Sequence, residues 1–181
     1  GIHSRTDFDL KQHEQFSGKK LQFFDPEMNQ SYVPFVVETS VGLDRMFLAV
    51  LSAAYQEETL EDGSERVVLK IPAVLAPYKA AILPLIKKDG LPEKAREIMA
   101  QLQLEYSVLY DEKDSIGKRY RRQDAIGTPF SITVDHQTLE DNTVTIRDRD
   151  TMTQERIAIA ALENVIADKA SWKRVLSDLI S

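Results

Sequence analysis

Residues 115–134 read Ser-Ile-Gly-Lys-Arg-Tyr-Arg-Arg-Gln-Asp-Ala-Ile-Gly-Thr-Pro-Phe-Ser-Ile-Thr-Val. Asp114 or Ser115 offers a side-chain oxygen as helix N-cap, and Gly127 followed by Pro129 stops the helix that runs to Ala125. Phe130 to Val134 then alternates with the two-residue period of a strand. The same change of period recurs on both sides. Upstream, Ala80 to Ile86 is a short apolar strand ended by Asp89-Gly90. Pro92 sits in the first turn of a helix with Ala95, Ile98, Met99 and Leu102 on one face, and Tyr106 to Tyr110 is a second strand. Downstream, Thr143 to Arg147 and Glu155 to Ile159 read as strands, and Ala160 to Asp168 and Ser171 to Ile180 as helices. Strands exchanged with helices in this way predict an α/β domain: a mixed sheet with flanking helices.

The N-terminal part reads differently. Val33, Phe35, Val36 and Val37 form a buried strand, and Met46, Phe47, Val50, Leu51, Ala54 and Tyr55 recur at helical spacing behind it. Arg5 to Leu10 alternates as a strand, Lys11 to Gly18 is polar and loop- or helix-like, and Lys20 to Asp25 is a strand. Together with residues 32–38 these predict part of an antiparallel sheet. Residues 56–66 are acidic and contain Asp62-Gly63, an exposed connection, before a strand at 67–71. Pro72 and Pro77 stiffen the crossing that follows, which places the boundary between a 1–70 portion and a 71–181 domain. Between the strand at 33–37 and its helix, the chain turns at Gly42, leaving unpaired N–H groups and a positive dipole end. Arg45 lies in that first turn, where the dipole repels cations, so an anion is its expected partner.

Counting back from Arg45, Gly42 lies three residues before it, with Ser40 and Glu38 at the next two alternate positions. The third motif of class II aminoacyl-tRNA synthetases is Gly-x-Gly-x-Gly-x-x-Arg, on a strand followed by a helix. Glu38 and Ser40 stand at the two earlier glycine positions, a departure shared by glycyl-tRNA synthetases of the homodimeric type, although Thr39 replaces their common proline. The run therefore resembles that family. Segments 87–96, 115–129 and 145–150 are similar to its anticodon-binding domain, in the same order. Gly1 to Leu10 resembles a stretch deep inside its catalytic domain. The chain thus looks like the C-terminal portion of a longer enzyme. A fragment of the class II catalytic domain would occupy 1–70 and the anticodon-binding domain 71–181.

The resemblance implies a cytoplasmic, homodimeric glycine–tRNA ligase that uses ATP and magnesium. Glu38, Thr39, Ser40, Val41 and Gly42 would form the glycine pocket, with a carboxylate for the ammonium and side chains filling the space a larger amino acid needs. Gly42, Leu43, Asp44 and Arg45 would hold ATP. The magnesium carboxylates and the α-phosphate arginine belong to family segments preceding Gly1, so the isolated chain is expected to activate no glycine. Arg119, Arg121, Arg122, Arg147 and Arg149 would bind the anticodon of glycine tRNA, whose shared cytosines offer O2 and N3 as acceptors. Without the resemblance, the cations at 118–122 read as a solvated helix face paired with Asp124, Asp148 and Asp150. Four cations in five residues cannot all face one ligand, and Ile116, Tyr120 and Ile126 are expected inward. The rival function is a non-catalytic tRNA- or RNA-binding accessory module.

Composition narrows the alternatives. The chain has 181 residues, 43% of them hydrophobic, and no cysteine, which excludes disulfides and thiolate metal sites. His3, His13 and His136 lack zinc-like spacing, no apolar run is long enough to cross a bilayer, and neither membrane nor DNA is an expected partner. The net charge of −6 is uneven. Residues 1–69 hold 6 Lys/Arg against 12 Asp/Glu, whereas residues 70–181 hold 17 of each. Any contact with RNA must therefore be focused rather than global.

Overall fold

The computed structural model describes residues 1–173, 176 and 177, so part of the helix expected over 171–180 lies outside the described residues. Two compact units form, Gly1–Ala49 and Val50–Ser181. In the first, strand β1 (Ile2–Thr6) precedes helix α1 (Phe8–Ser17), and β2 (Phe23–Asp25), β3 (Gln30–Tyr32) and β4 (Val36–Thr39) follow. Helix α2 (Leu43–Ala54) leads out of the unit. The strand expected over 5–10 stops at Thr6, which takes a positive φ of 52°. Residues 8–10 become helix instead, supported by the Lys11–Asp7 ion pair at 2.6 Å across one turn.

The expected single antiparallel sheet is two separate pairs, β1 with β4 and β2 with β3. The predicted burial of the strand at 33–37 does not occur: Phe35 is 69% and Val37 66% exposed.

The second unit opens with the C-terminal half of α2, where Ala54 packs with Ile71 and Ala76. Next comes a hairpin, β5 (Tyr55–Thr59) against β6 (Glu65–Leu69), in place of the exposed connection read over 56–66. Its alternation buries Arg66 and Val68 while Val67 faces outward. This burial places the hairpin in the same compact unit as the sheet that follows, Val50–Ser181. In the crossing, a short 3-10 turn covers Ala73–Leu75. Lys79 Nζ donates to the carbonyls of Ala73, Val74 and Ala76 at 3.1, 2.8 and 2.8 Å, and burial lowers its pKa.

The main sheet has five strands: β7 (Ala80–Pro84), β8 (Val108–Tyr110), β9 (Phe130–Val134), β10 (Thr143–Asp148) and β11 (Gln154–Ala158). Their spatial order is β11-β10-β9-β7-β8. β7 runs parallel to β8 and β9, and β10 runs antiparallel to β9 and β11. β7 and β9 are buried along their whole length, as parallel strands covered on both faces must be. Helices α3 (Leu91–Leu102), α4 (Ile116–Ile126), α5 (His136–Asp141) and α6 (Leu162–Ala170) complete the unit. Ile82, Leu91, Ile98, Ile132, Val144 and Ile166 lie in one apolar core. The α/β class and the mixed sheet follow the sequence reading. Helix α5, not anticipated, is nucleated by a capping box in which Asp135 accepts from Thr138 N–H and Thr138 Oγ1 answers the Asp135 N–H.

Candidate nucleic-acid interface

Helix α4 carries the cations, and its buried face is polar. Arg119, Gln123 and Asp124 lie inside, whereas Ile126 is 40% exposed and Ile116 and Tyr120 are half-buried. The expected inward face of isoleucines and tyrosine is therefore corrected. The reason is charge pairing. Asp124, at 0% exposure, receives both outer nitrogens of Arg147 at 2.8 and 3.1 Å and stands 3.0 Å from Arg66 Nε. That Nε makes no hydrogen bond, so its approach is a charge contact. Arg66 Nη1 reaches Glu58 at 3.1 Å and Nη2 donates to the Arg149 carbonyl. Two arginines from different strands thus converge on one carboxylate, the arrangement that makes burial of the charges tolerable.

The structure does not bring the five arginines assigned to the anticodon into one place. Arg119, 3% exposed, donates to the carbonyls of Pro84 at 2.5 Å and Asp114 at 3.0 and 3.2 Å. Arg149, also 3% exposed, donates to Gly127 O at 2.8 Å, Ile71 O at 2.9 Å and the adjacent Asp150. Their donors are committed to the interior. Arg122 is held by Asp111 at 2.8 Å and Asp114 at 2.9 Å, its pKa raised first by the Asp111 hydrogen bond. Arg121 and Arg147 line one cavity.

That cavity is a cleft of about 260 Å³. Gly117, Tyr120 and Arg121 come from one face of α4, Arg147 from β10, Met152 and Gln154 from the turn and strand opposite, and Leu60 from the β5–β6 tip. The Arg147 guanidinium carbon lies 5.0 Å from the centroid of the Tyr120 ring, and the Tyr120 hydroxyl is 2.7 Å from Thr133 Oγ1. An aromatic face is thereby fixed at both ends beside a cation. Gln154 stands opposite Arg147 in the β10–β11 register, and a Cβ on Gly117 would meet nothing within 4 Å. Arg121 Nη2 reaches Ser64 Oγ at 3.3 Å. Ser64 in turn donates its hydroxyl to Asp62 at 2.6 Å; this bond first, then the Ser64 backbone N–H, with Arg121 adding its charge, holds the Asp62 carboxyl below the ordinary carboxylate range.

A larger cleft, about 350 Å³, lies between the β10–β11 hairpin and α6. Asp148, Glu155 and Asp168 rim it, and its Lys169 is bound to Asp148, so it does not suit a polyanion. Sequence reasoning missed Tyr120, Met152, Gln154 and Leu60 as parts of one cleft, and Ser64 as a partner of its Arg121. Only Tyr120 carried a signal, as an aromatic set among cations.

In the first unit, Glu38 to Arg45 form the end of β4, a turn and the start of α2, all of it exposed. Ser40 exchanges backbone hydrogen bonds with Gly1 at 2.9 and 2.8 Å, and Glu38 lies 3.6 Å from Arg5 Nε. Met46 N–H bonds Gly42 O at 3.0 Å, opening the helix. The Arg45 stem would lie 3.7–3.8 Å from a Cβ at Gly42. Among the described residues Arg45 makes no ion pair or hydrogen bond, and no group of three or more His, Asp or Glu is placed to hold a metal ion. No helix among them is long and apolar enough to cross a membrane.

Comparison with known proteins bears on this arrangement. Residues 79–169 match the family described as anticodon binding domain. The chain belongs to this family. Three glycine–tRNA ligases are among the proteins it is similar to. That of Chlorobaculum tepidum is 55% identical over 169 residues, 93% of this chain and 36% of the relative. That of Clostridium tetani is 54% identical over 95% of this chain and 37% of the relative, and that of Borrelia hermsii 50% identical over 98% and 40%. The chain spans a little over a third of the length of these relatives. The crystal structure of the RNA binding domain of threonyl-tRNA synthetase from Cryptosporidium parvum shares the fold, with a TM-score of 0.62 at 19% identity over 83% of this chain and 35% of that one.

Proposed function

We propose that this chain is the tRNA-holding part of a glycine–tRNA ligase and that its second unit binds the anticodon of glycine tRNA. The observation that carries the reading is the cleft where Tyr120, Arg121 and Arg147 meet inside a domain of the anticodon-binding family. An anticodon presents unstacked bases, which need a flat face and edge-directed donors. Tyr120 supplies the face, and the unpaired edge of Arg121 supplies donors to the O2 and N3 acceptors of cytosine. Arg122 contacts the flanking RNA backbone. Arg119, Arg147 and Arg149 act by positioning, since their hydrogen bonds hold β10, α4 and the turn after it together.

In the whole ligase, Glu38 takes the glycine ammonium, and the backbone and side chains of Thr39, Ser40, Val41 and Gly42 close the pocket. Gly42, Leu43, Asp44 and Arg45 hold ATP, whose phosphoanhydride supplies the activation of the amino-acid carboxylate. The unpaired guanidinium of Arg45 at a helix start fits a phosphate. Magnesium is assigned no ligand from this chain. The cytoplasm and a homodimeric state belong to the same proposal.

The test is binding of the 181-residue chain to two RNA hairpins, one with the glycine anticodon and one with its cytosines changed to uridines. Arg121→Ala is expected to weaken the first by roughly tenfold or more and the second far less. Equal losses with a flatter salt dependence would make Arg121 a phosphate contact, and no loss on either RNA would sink the reading.

A further inference from the structure

We infer that the β5–β6 hairpin, which lies before the matched residues 79–169, is part of the RNA-reading surface, and that Ser64 at its tip is a positioning residue for Arg121. The inference rests on the anticodon-binding reading of the cleft.

Three independent features support it. The hairpin is fixed to the domain rather than appended: Arg66 and Val68 are 1% and 0% exposed, and Arg66 meets Asp124 of α4 and the backbone of Arg149. Its tip is closed, with Leu60 N–H bonded to Ser64 O at 2.8 Å and Gly63 at φ +78°, so its side chains have defined places. From that tip Leu60 lines the cleft and Ser64 Oγ accepts from Arg121 while donating to Asp62.

A long arginine on a helix surface loses much of its rotamer freedom when it binds a ligand, and a pre-formed hydrogen bond reduces that loss. The Asp62–Ser64–Arg121 relay does this at the mouth of the cleft. The tip also carries Glu61, Asp62 and Glu65, all exposed. Phosphates are repelled from this lip, so a strand threading the cleft keeps its backbone away from it and turns base edges toward Arg121. The hairpin therefore favours discrimination between bases over general affinity for RNA.

The 181-residue chain, its Ser64→Ala, Ser64→Thr and Arg121→Ala variants, and the Ser64→Ala/Arg121→Ala double variant are titrated with the two hairpin RNAs described above. Ser64→Ala should weaken the glycine-anticodon hairpin roughly two- to tenfold, the range of one ordinary hydrogen bond. It should leave the uridine-substituted hairpin unchanged, so that discrimination narrows. Ser64→Thr, which keeps the hydroxyl, should restore discrimination, and Ser64→Ala should add nothing once Arg121 is alanine. Equal weakening of both RNAs, full discrimination in Ser64→Ala, no rescue by threonine, or additive losses would each overturn the inference while leaving the anticodon reading intact. Failure of the unsubstituted chain to discriminate the two hairpins would remove both.

Discussion

Asp124 has two arginine neighbours and no exposure to water, which makes it the residue that ties α4 to β6 and β10. Asp124→Ala leaves Arg147 buried without its carboxylate and Arg66 with Glu58 alone. A loss of about 3–5 kcal/mol in folding stability is expected, the range for breaking a buried pair from one side, measured as a lowered urea midpoint. The arginines show how residue identity alone can mislead. Arg119, Arg121, Arg122, Arg147 and Arg149 have the same chemistry in the sequence, and the resemblance grouped them. Their partners divide them: backbone carbonyls of Pro84, Gly127 and Ile71 occupy Arg119 and Arg149, and Asp124 occupies Arg147. Those partners are far away along the chain, so no local pattern announces them. Arg45 and Arg121 are different, since among the described residues neither is held by a carboxylate within hydrogen-bond reach.

Helix α4 ends in a left-handed glycine, and that glycine is pressed against the neighbouring chain. Gly127 has φ +81°, and a Cβ there would come 3.0 Å from Leu69 O and 3.1 Å from Ile71 Cγ1. Gly127→Ala therefore meets backbone strain of roughly 1–2 kcal/mol, and the close contact with the end of β6 adds to it. The expected result is a urea midpoint lower by at least that equivalent, with the m-value unchanged. The stop signal Gly127-Thr128-Pro129 was legible from sequence, as were β7 to β11, α3, α4 and α6, because each carries an apolar run, a strand alternation or a helical repeat. The β5–β6 hairpin was not. Tyr55 to Thr59 is rich in glutamate and poor in strand formers, and it becomes a strand because Val68 and Arg66 opposite are buried. Helix α5 was too short for periodicity and is held by its cap.

Across the whole molecule, ionisation sets the limits of stability on both sides. Asp111, Asp135 and Asp148 are each pushed up by burial, yet hydrogen bonds outweigh it: from the Lys113 N–H and Arg122 to Asp111, from Arg156 and Thr138 to Asp135, and from Lys169 and the Thr151 N–H to Asp148. Their folded pKa values are therefore depressed. The stability they contribute is complete above the unfolded aspartate value of about 3.9 and is lost as pH falls through the folded values. Tyr110 behaves in the opposite sense. Burial first, then its hydrogen bond to Glu112, pushes it up to about 12, so its contribution holds below the unfolded value near 10 and disappears as pH rises toward about 12. Urea midpoints measured across pH should form a plateau that declines below about 4 and again above about 10, and Tyr110→Phe should soften the alkaline decline. Two prolines marked the crossing at 72–77, but the packing that joins the hairpin to α4 spans it. That seam has a practical meaning for anyone transplanting the reader. A graft starting at residue 79, where family similarity begins, would carry Asp124 without Arg66 and Arg149 without the Ile71 carbonyl. The portable cassette begins instead inside α2, near residue 50, and takes the hairpin with it.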